Sequence, residues 1–406
     1  MNLLSVQDAL AQVLSGAEPV GIEQVPLLAG LGRVLAAPVV ARRTQPGFDA
    51  SAMDGYAVRA ADALQGARLR VIGEASAGHA FEGAVRRGDA VRIFTGAPVP
   101  AGADAVLIQE NAAREGDLVQ VNLPPRTGQN IRRRGLDFAE GHLALAPGLR
   151  LGPRDLAFAA ASNHGELIVR RRPLVAILAT GDEIVPPGGE PGPFATVASN
   201  NFALAAIVAV EGGEVLDLGI AGDDLPSLEG AIRRAREAGA DILVTIGGAS
   251  VGDHDLVQTA LAREGMTLGF WRIAMRPGKP MMHGRLGPMH ILGLPGNPVS
   301  AVVCGILFLV PLIRALSGRR DLVPERLVGR FAVPWPANDH REDYLRAASS
   351  VDAETGDVTV TPFEVQDSSM VRVLHEARCL VVRPPDAPAA RVGDRCEVID
   401  LCAHGY

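Results

Sequence analysis

Aromatic residues make up only 4% of this chain of 406 residues, and cysteine occurs four times. Cys304, Cys379, Cys396 and Cys402 form no Cys-x-x-Cys pair, so neither a zinc knuckle nor a disulfide framework is indicated. Cys304 falls in an apolar stretch and reads as a small core residue. There is no Gly-x-x-x-x-Gly-Lys-Ser/Thr and no Gly-x-Gly-x-x-Gly, which leaves a Walker-type ATPase and a dinucleotide dehydrogenase without support. Basic charge is not in excess: the net charge is −7, and nucleic acid is not expected as a partner. No apolar run reaches the ~20 residues of a membrane span. The longest, Val299 to Ile313, contains Pro311 and stops at Arg314, which suits a buried helix. The start, Met1-Asn-Leu-Leu-Ser5, lacks the basic and apolar regions of a signal peptide, so a soluble cytoplasmic protein without a membrane partner is expected.

Glycine (46) and proline (29) are abundant, so turns and close backbone approaches recur along the chain. The length suggests roughly two to four domains, and 48% hydrophobic residues suffice for several cores. Residues 3–14 place Leu3, Val6, Leu10, Val13 and Leu14 on one helical face, and a second short helix is predicted over 27–36. From about 68 to 124, short strands at hairpin spacing predict a β domain. Helix is predicted over 153–166, and Arg170-Arg-Arg-Pro173 reads as a linker.

The texture then changes. Buried strands are predicted over 174–179, 214–220 and 241–246, alternating with helices over 200–211, 225–238 and 255–264. Strands over 267–273 and 289–294 and a long helix from Pro298 to Leu316 follow. This order implies an α/β domain with a doubly wound, mostly parallel sheet. Thr180-Gly-Asp-Glu183, Asp223, Gly247–Asp255 and Leu294-Pro-Gly-Asn-Pro-Val-Ser300 then fall at carboxyl ends of strands, where such sheets bind ligands. Read singly, Gly247–Asp255 is equally an ordinary strand-to-helix turn. In the last motif Asn297 suits a cap, Pro298 a first helical turn, and Ser300 an anion site at a helix N-terminus. Arg272, Arg276 and Lys279 upstream suit a phosphate or another oxoanion. After Pro324 the pattern returns to short strands and predicts a small barrel-like domain.

Three charged features have ordinary structural readings. Asp49 and Asp54 sit in turns, where Asp commonly caps its own backbone. Arg132-Arg-Arg134 is a solvated charge run or an oxoanion contact. Arg341-Glu-Asp-Tyr-Leu-Arg346 reads as an exposed hairpin tip.

The motifs taken together resemble the molybdopterin molybdenumtransferase family, which includes the carboxyl-terminal part of gephyrin. The resemblance rests on Phe48-Asp-Ala-Ser-Ala-Met-Asp-Gly-Tyr-Ala57, Thr95-Gly-Ala-Pro-Val-Pro100, Gln129-Asn-Ile-Arg-Arg-Arg-Gly135, Thr180-Gly-Asp-Glu183, Gly247-Gly-Ala-Ser-Val-Gly252, Arg276-Pro-Gly-Lys-Pro280 and Leu294–Ser300, in family order across almost the whole chain. It implies four domains: an elongated dimerisation domain (1–45 and 140–172), a β insertion domain (46–139), an α/β molybdopterin-binding domain like molybdopterin adenylyltransferase (173–323), and a C-terminal β-barrel-like domain (324–406). The implied reaction inserts molybdenum from molybdate into adenylylated molybdopterin and releases AMP, with Mg²⁺ on the pyrophosphate.

The resemblance also implies roles for residues. Glu183 and Asp255 would hold the metal, with Asp223 near. Ser250, Arg272, Arg276, Lys279, Ser300 and Arg346 would bind substrate, with Pro295 and Pro298 shaping the turn. Asp54, Thr95 and Asp137 match positions linked to activity, supplied across the cleft of a homodimer. A molybdopterin adenylyltransferase would supply the substrate, and molybdenum enzymes or cofactor carriers would receive the product. Arg272 and Arg276 stand where the family often has lysine, Asn200-Asn201 lacks a usual aspartate, and His254 reads as a solvent-facing turn residue. Two other functions fit the same domains: a non-catalytic scaffold of the gephyrin type, and the preceding adenylyltransferase step.

Overall fold

The computed structural model describes residues 3–248 and 256–406. Ser250, Asp253, His254 and Asp255 therefore lie outside the described residues.

The first helix, Val6–Leu14, starts at Ser5, whose hydroxyl accepts from Asp8 N at 3.0 Å. Its buried face, Val6, Ala9 and Val13, joins the core that contains Val244, Leu292 and Ile313. Its apolar stripe packs on the helical segment Gly305–Leu316, so the chain start is anchored on the α/β domain's core.

The elongated domain proper pairs Ile22–Pro26 with Glu166–Arg170, and Val39–Val40 with Leu143–Leu145, both antiparallel. Its core is Val25, Leu35, Leu145, Leu151, Leu167 and their neighbours. The helix predicted over 27–36 is one 3-10 turn, Leu27–Gly30. Gly32 adopts φ +72° and donates to Leu151 O, and Leu35 bridges Val169, so tertiary pairing overrides the local pattern. The helix predicted over 153–166 ends at Ala161, and Arg170 belongs to a strand, not a linker.

Chain enters and leaves the β insertion domain side by side: Gln45 N donates to Phe138 O at 2.8 Å and Asp137 N to Gln45 O at 3.0 Å. Between them lies a six-stranded sheet, in the order Ala105–Ile108, Gly55–Val58, Asp89–Ile93, Arg68–Ala75, Leu118–Val121, Ala112–Glu115. A Cβ on Gly55 would sit 2.0 Å from Leu107 O, so only glycine permits this strand contact.

The α/β sheet runs Glu214–Ala221, Leu174–Thr180, Ile242–Ile246, Met289–Leu294, Met282–Leu286, Thr267–Phe270. The first four strands are parallel, Met282–Leu286 runs against them, and Thr267–Phe270, antiparallel to its neighbour, runs with them again. Helices Asn200–Val210 and Pro298–Leu316 cover one face; Leu225–Glu237 and Leu256–Arg263 cover the other. Pro298–Leu316 is long and apolar enough to cross a membrane, yet it is 89% buried within the protein and acts as its central core helix. A π-helical turn, Gly305–Leu309, precedes Pro311, which lacks the N–H that would close a regular turn.

The C-terminal strands Leu327–Phe331, Val358–Pro362, Glu342–Val351, Cys379–Arg383 and Arg395–Asp400 pair in that order, and the last returns to the first. The result is a closed five-stranded barrel. Residues 341–346, predicted as an exposed tip, lead into its longest strand, where Tyr344 and Arg346 are buried. Met275–Arg276 of the α/β domain adds to that strand in parallel.

Candidate active site

Four parallel strands end on one edge, and each delivers one of the predicted motifs. A cleft of about 1000 Å³ opens there. Thr180 and Glu183 line it from one strand end, Asp223 from the next, Gly247 and Gly248 from the third, and Pro295 to Pro298 from the fourth. The barrel reaches the same cleft through Ser369 and Val371.

Local chemistry explains each wall. Gly247 and Gly248 adopt φ +91° and +65°, and a Cβ would meet Thr180 O at 2.8 Å or Val257 Cγ2 at 2.3 Å. The turn therefore needs two glycines to bring backbone close to the cleft. Asp182 and Asp223 hold each other's turns: Asp223 N donates to Asp182 Oδ1 at 3.0 Å and Asp182 N to Asp223 Oδ2 at 3.4 Å. Asp224, by contrast, caps the next helix by accepting from Ser227 N at 2.8 Å. Its carboxyl is held below the usual range by the Ser227 hydroxyl and N–H. The two adjacent acids thus divide: Asp223 faces the cleft and Asp224 the helix.

Asn297 does not cap its helix, contrary to expectation. Its amide donates to Ser368 Oγ at 2.8 Å, while Val299 N donates to Ser368 O at 3.0 Å. A barrel serine thereby satisfies the helix start, which local sequence could not reveal. On the opposite wall Asn200 Nδ2 donates to Gly296 O at 2.7 Å, fixing the Pro295–Pro298 turn. Ser300 is buried one turn further in.

The cations separate. Lys279 is exposed, next to Pro280 of the cleft wall, and its carbonyl accepts from Ile273 N and Met281 N. Composition singles it out: it is the one lysine in a chain with 39 basic residues. Gly278 before it has φ +113°, and a Cβ there would lie 2.5 Å from Cys304 Sγ. Cys304 is the small core residue predicted, with burial pushing its thiol up to about 12. Arg272 is exposed, its guanidinium 6.0 Å from the Trp271 ring. Arg276 is engaged elsewhere: its Nε and Nη2 donate to Asp343 at 2.8 and 2.7 Å. Arg346 is only 1% exposed. Its Nη1 donates to Tyr344 O at 3.0 Å, whereas Nε and Nη2 have no partner among the described residues. Burial pulls it down to about 10, against the support of Asp343 and Asp367. A buried guanidinium with two open N–H groups is costly unless an anion reaches it.

Asp54, Thr95 and Asp137 do not line this cleft. The structure does join two of them: Asp54 Oδ1 accepts from Thr95 N at 2.7 Å and from Thr95 Oγ1 at 2.8 Å. These bonds hold the Asp54 carboxyl below its ordinary value. Asp137 is exposed at the domain's exit. Of the Arg132–Arg134 run, Arg133 pairs with Asp49 at 2.6 Å, so that part of the run is structural. Ser369, which lines the cleft, and Ser368, which holds Asn297, fall in no motif; Asp367-Ser-Ser369 looks like any turn.

Residues 4–162 match the family description "MoeA N-terminal region (domain I and II)", 176–315 match "Probable molybdopterin binding domain", and 328–401 match "MoeA C-terminal region (domain IV)". The chain is 34% identical over 366 residues to the molybdopterin molybdenumtransferase of Haemophilus influenzae, covering 90% of each chain. It is 34% identical over 406 residues to molybdopterin molybdenumtransferase 2 of Mycobacterium tuberculosis, covering 97% of this chain and 98% of that one. Two crystal structures of the molybdopterin biosynthesis MoeA protein from Pyrococcus horikoshii share 31% and 27% identity with it. Their TM-scores are 0.83 and 0.84, with 98% of this chain covered and 99% and 100% of theirs. Matched from end to end in sequence and fold, the chain belongs to the molybdopterin molybdenumtransferase (MoeA) family of molybdenum cofactor biosynthesis.

Proposed function

We propose that the chain transfers molybdenum from molybdate to adenylylated molybdopterin, with release of AMP. The supporting observation is the cleft itself: acids, a double-glycine turn, a Pro/Gly loop and a barrel serine meet at one strand edge, and exposed Lys279 directly precedes Pro280 of its wall. Backbone N–H groups of the glycine turn suit phosphate oxygens. Lys279, Ser300 and the open N–H groups of Arg346 suit a doubly charged oxoanion. Arg272 would meet the substrate from the surface, and Pro295 and Pro298 fix the turn that holds it.

The donors also suit Mg²⁺, which takes one or two carboxylates together with substrate phosphate oxygens. Glu183 would hold it, with Asp255 and Asp223 as the other carboxylates of the motif set. Among the described residues, which leave out Asp255, no three His, Cys, Asp or Glu cluster, and in this reading substrate phosphate oxygens complete the set of ligands. When bound, the ion supplies charge neutralisation at the pyrophosphate.

Asp54, Thr95 and Asp137 act in this reading from a second copy of the chain, which closes the cleft and keeps water from the reacting centre. The protein is a cytoplasmic homodimer that receives its substrate from an adenylyltransferase and passes product to molybdenum enzymes or carriers. The test is reconstitution with adenylylated molybdopterin, molybdate and Mg²⁺, followed by activation of a cofactor-free nitrate reductase. Folded protein that yields no active reductase refutes the reading. Mixing inactive Asp54→Ala and Glu183→Ala chains tests the shared cleft. A random mixture restores about a quarter of the wild-type sites if each site draws on both subunits. No restoration above the single variants refutes it.

A further inference from the structure

We infer that Arg276 is not a substrate ligand but a strap that ties the loop 272–280 to the C-terminal barrel and so positions Lys279. The reading rests on the proposed molybdate site.

The contact is built from both backbone and side chain. Met275 and Arg276 pair in parallel with Glu342 and Asp343, and Glu342 N donates to Ala274 O at 2.9 Å. On this ladder the Arg276 fork grips Asp343, which is only 6% exposed, with two bonds. Nη2 also donates to Asn338 Oδ1 at 3.2 Å, and Nη1 lies 3.6 Å from Asp339. Asp339 is in turn gripped by Arg341 at 2.7 Å. Two guanidiniums and two carboxylates thus form a neutral quartet. It has no surplus charge to offer a doubly charged oxoanion, and its carboxylates would repel one. An ammonium could not grip Asp343 with the same planar two-point fork.

Lys279 is the opposite case. Among the described residues no carboxylate forms an ion pair with it. The two residues between strap and lysine, Pro277 and Gly278, have little slack: a Cβ on Gly278 would lie 2.5 Å from Cys304 Sγ, and the Lys279 carbonyl is held by two N–H groups. A displacement of Arg276 is therefore passed to Lys279. Where nearly every other cation is a guanidinium, the compact ammonium stands on a loop that the barrel holds in place. The barrel's role at the cleft is accordingly mechanical as well as chemical: it sets where the charge sits.

The single lysine makes the test direct, because acetic anhydride labelling followed by peptide mass spectrometry reads one ε-amino group. Asp343→Asn, Arg276→Gln and Arg276→Lys are compared with wild type and with the exchanged pair Arg276→Asp/Asp343→Arg, after heat denaturation has shown which are folded. The strap predicts an altered Lys279 labelling rate in each single variant and a molybdate KM raised by about tenfold, equivalent to about 1.4 kcal/mol. The KM for the pterin substrate stays within twofold, and the exchanged pair moves both readouts back toward wild type. If burial makes Asp343→Asn unfold, the half-exposed Arg276→Gln and Arg276→Lys decide. Unchanged labelling in folded Arg276→Gln overturns the strap. If molybdate KM rises there while labelling is unchanged, Arg276 is itself a ligand. If wild type converts no molybdate at all, the proposed function fails, and the labelling arms still decide the strap.

Discussion

Asp54 and Thr95 stand 41 residues apart and meet through two hydrogen bonds to one carboxylate oxygen. Thr95→Val removes the hydroxyl donor and leaves the N–H. The Asp54 carboxyl should then rise toward the ordinary ~3.9, measured by carboxyl NMR titration. An unchanged titration would show that the hydroxyl contributes nothing to Asp54. A second residue-scale prediction concerns Gly247. Alanine there forces φ +91° on a side-chain-bearing residue and drives its Cβ against Thr180 O. We expect a loss of about 1–3 kcal/mol in urea unfolding, with product formation falling further than stability because the turn lines the cleft. That Gly247, Glu183, Asp223, Pro295 and Pro298 share one sheet edge was legible because each lies in a local motif at a strand end, and all five line the cleft. The contacts of Ser368 and Asn200 were not, since each residue acts through a partner distant in sequence: Asn297 and Val299 for the serine, Gly296 for the asparagine.

At the scale of elements, buried parallel strands such as Leu174–Thr180 and Ile242–Ile246 write themselves as unbroken apolar runs, and both were legible. Met282–Leu286 was not, because His283, Gly284 and Arg285 interrupt its pattern. Tertiary packing carries it: His283 lies 5.6 Å from Phe270 and 6.1 Å from His290, ring centre to ring centre. The charged run 341–346 misled in the same way, since the Arg276 that accepts Asp343 into the interior lies 67 residues away. The helix Pro298–Leu316 was read correctly in extent, but its π turn was not. That turn carries Ile306, fully buried in the core. Ile306→Ala should cost about 2–5 kcal/mol in urea unfolding. A loss under 1 kcal/mol would mean that the π turn relaxes to fill the gap.

At the scale of the molecule, two histidines bear on acid stability. Burial, aided by Arg285, pushes His283 down to about 4 and His290 down to about 3. Below the ordinary histidine value of ~6.5 the unfolded chain takes up protons that the folded chain refuses, so stability is complete above that pH and falls as pH drops from 6.5 towards 4 and then 3. With both groups contributing, the slope approaches about 2–3 kcal/mol per pH unit. Urea midpoints measured from pH 7 to pH 4 check this, and His290→Gln should flatten the curve; an equal slope in both proteins would remove the histidines from the account. Changes of texture near 174 and 324 fall where the chain passes into the α/β sheet and then into the barrel, whereas the sheet expected from about 68 already begins at Gly55. The packing surface of the first helix was not legible, because an amphipathic stripe does not name the surface it covers. Gln45 and Phe138 clasp the two ends of the insertion domain together, so the gap its removal would leave is already closed by backbone hydrogen bonds. Residues 46–137 are thereby a cassette: they could be lifted out and bridged by a short turn, or exchanged for the corresponding piece of a relative, without asking the remaining chain to find a new path.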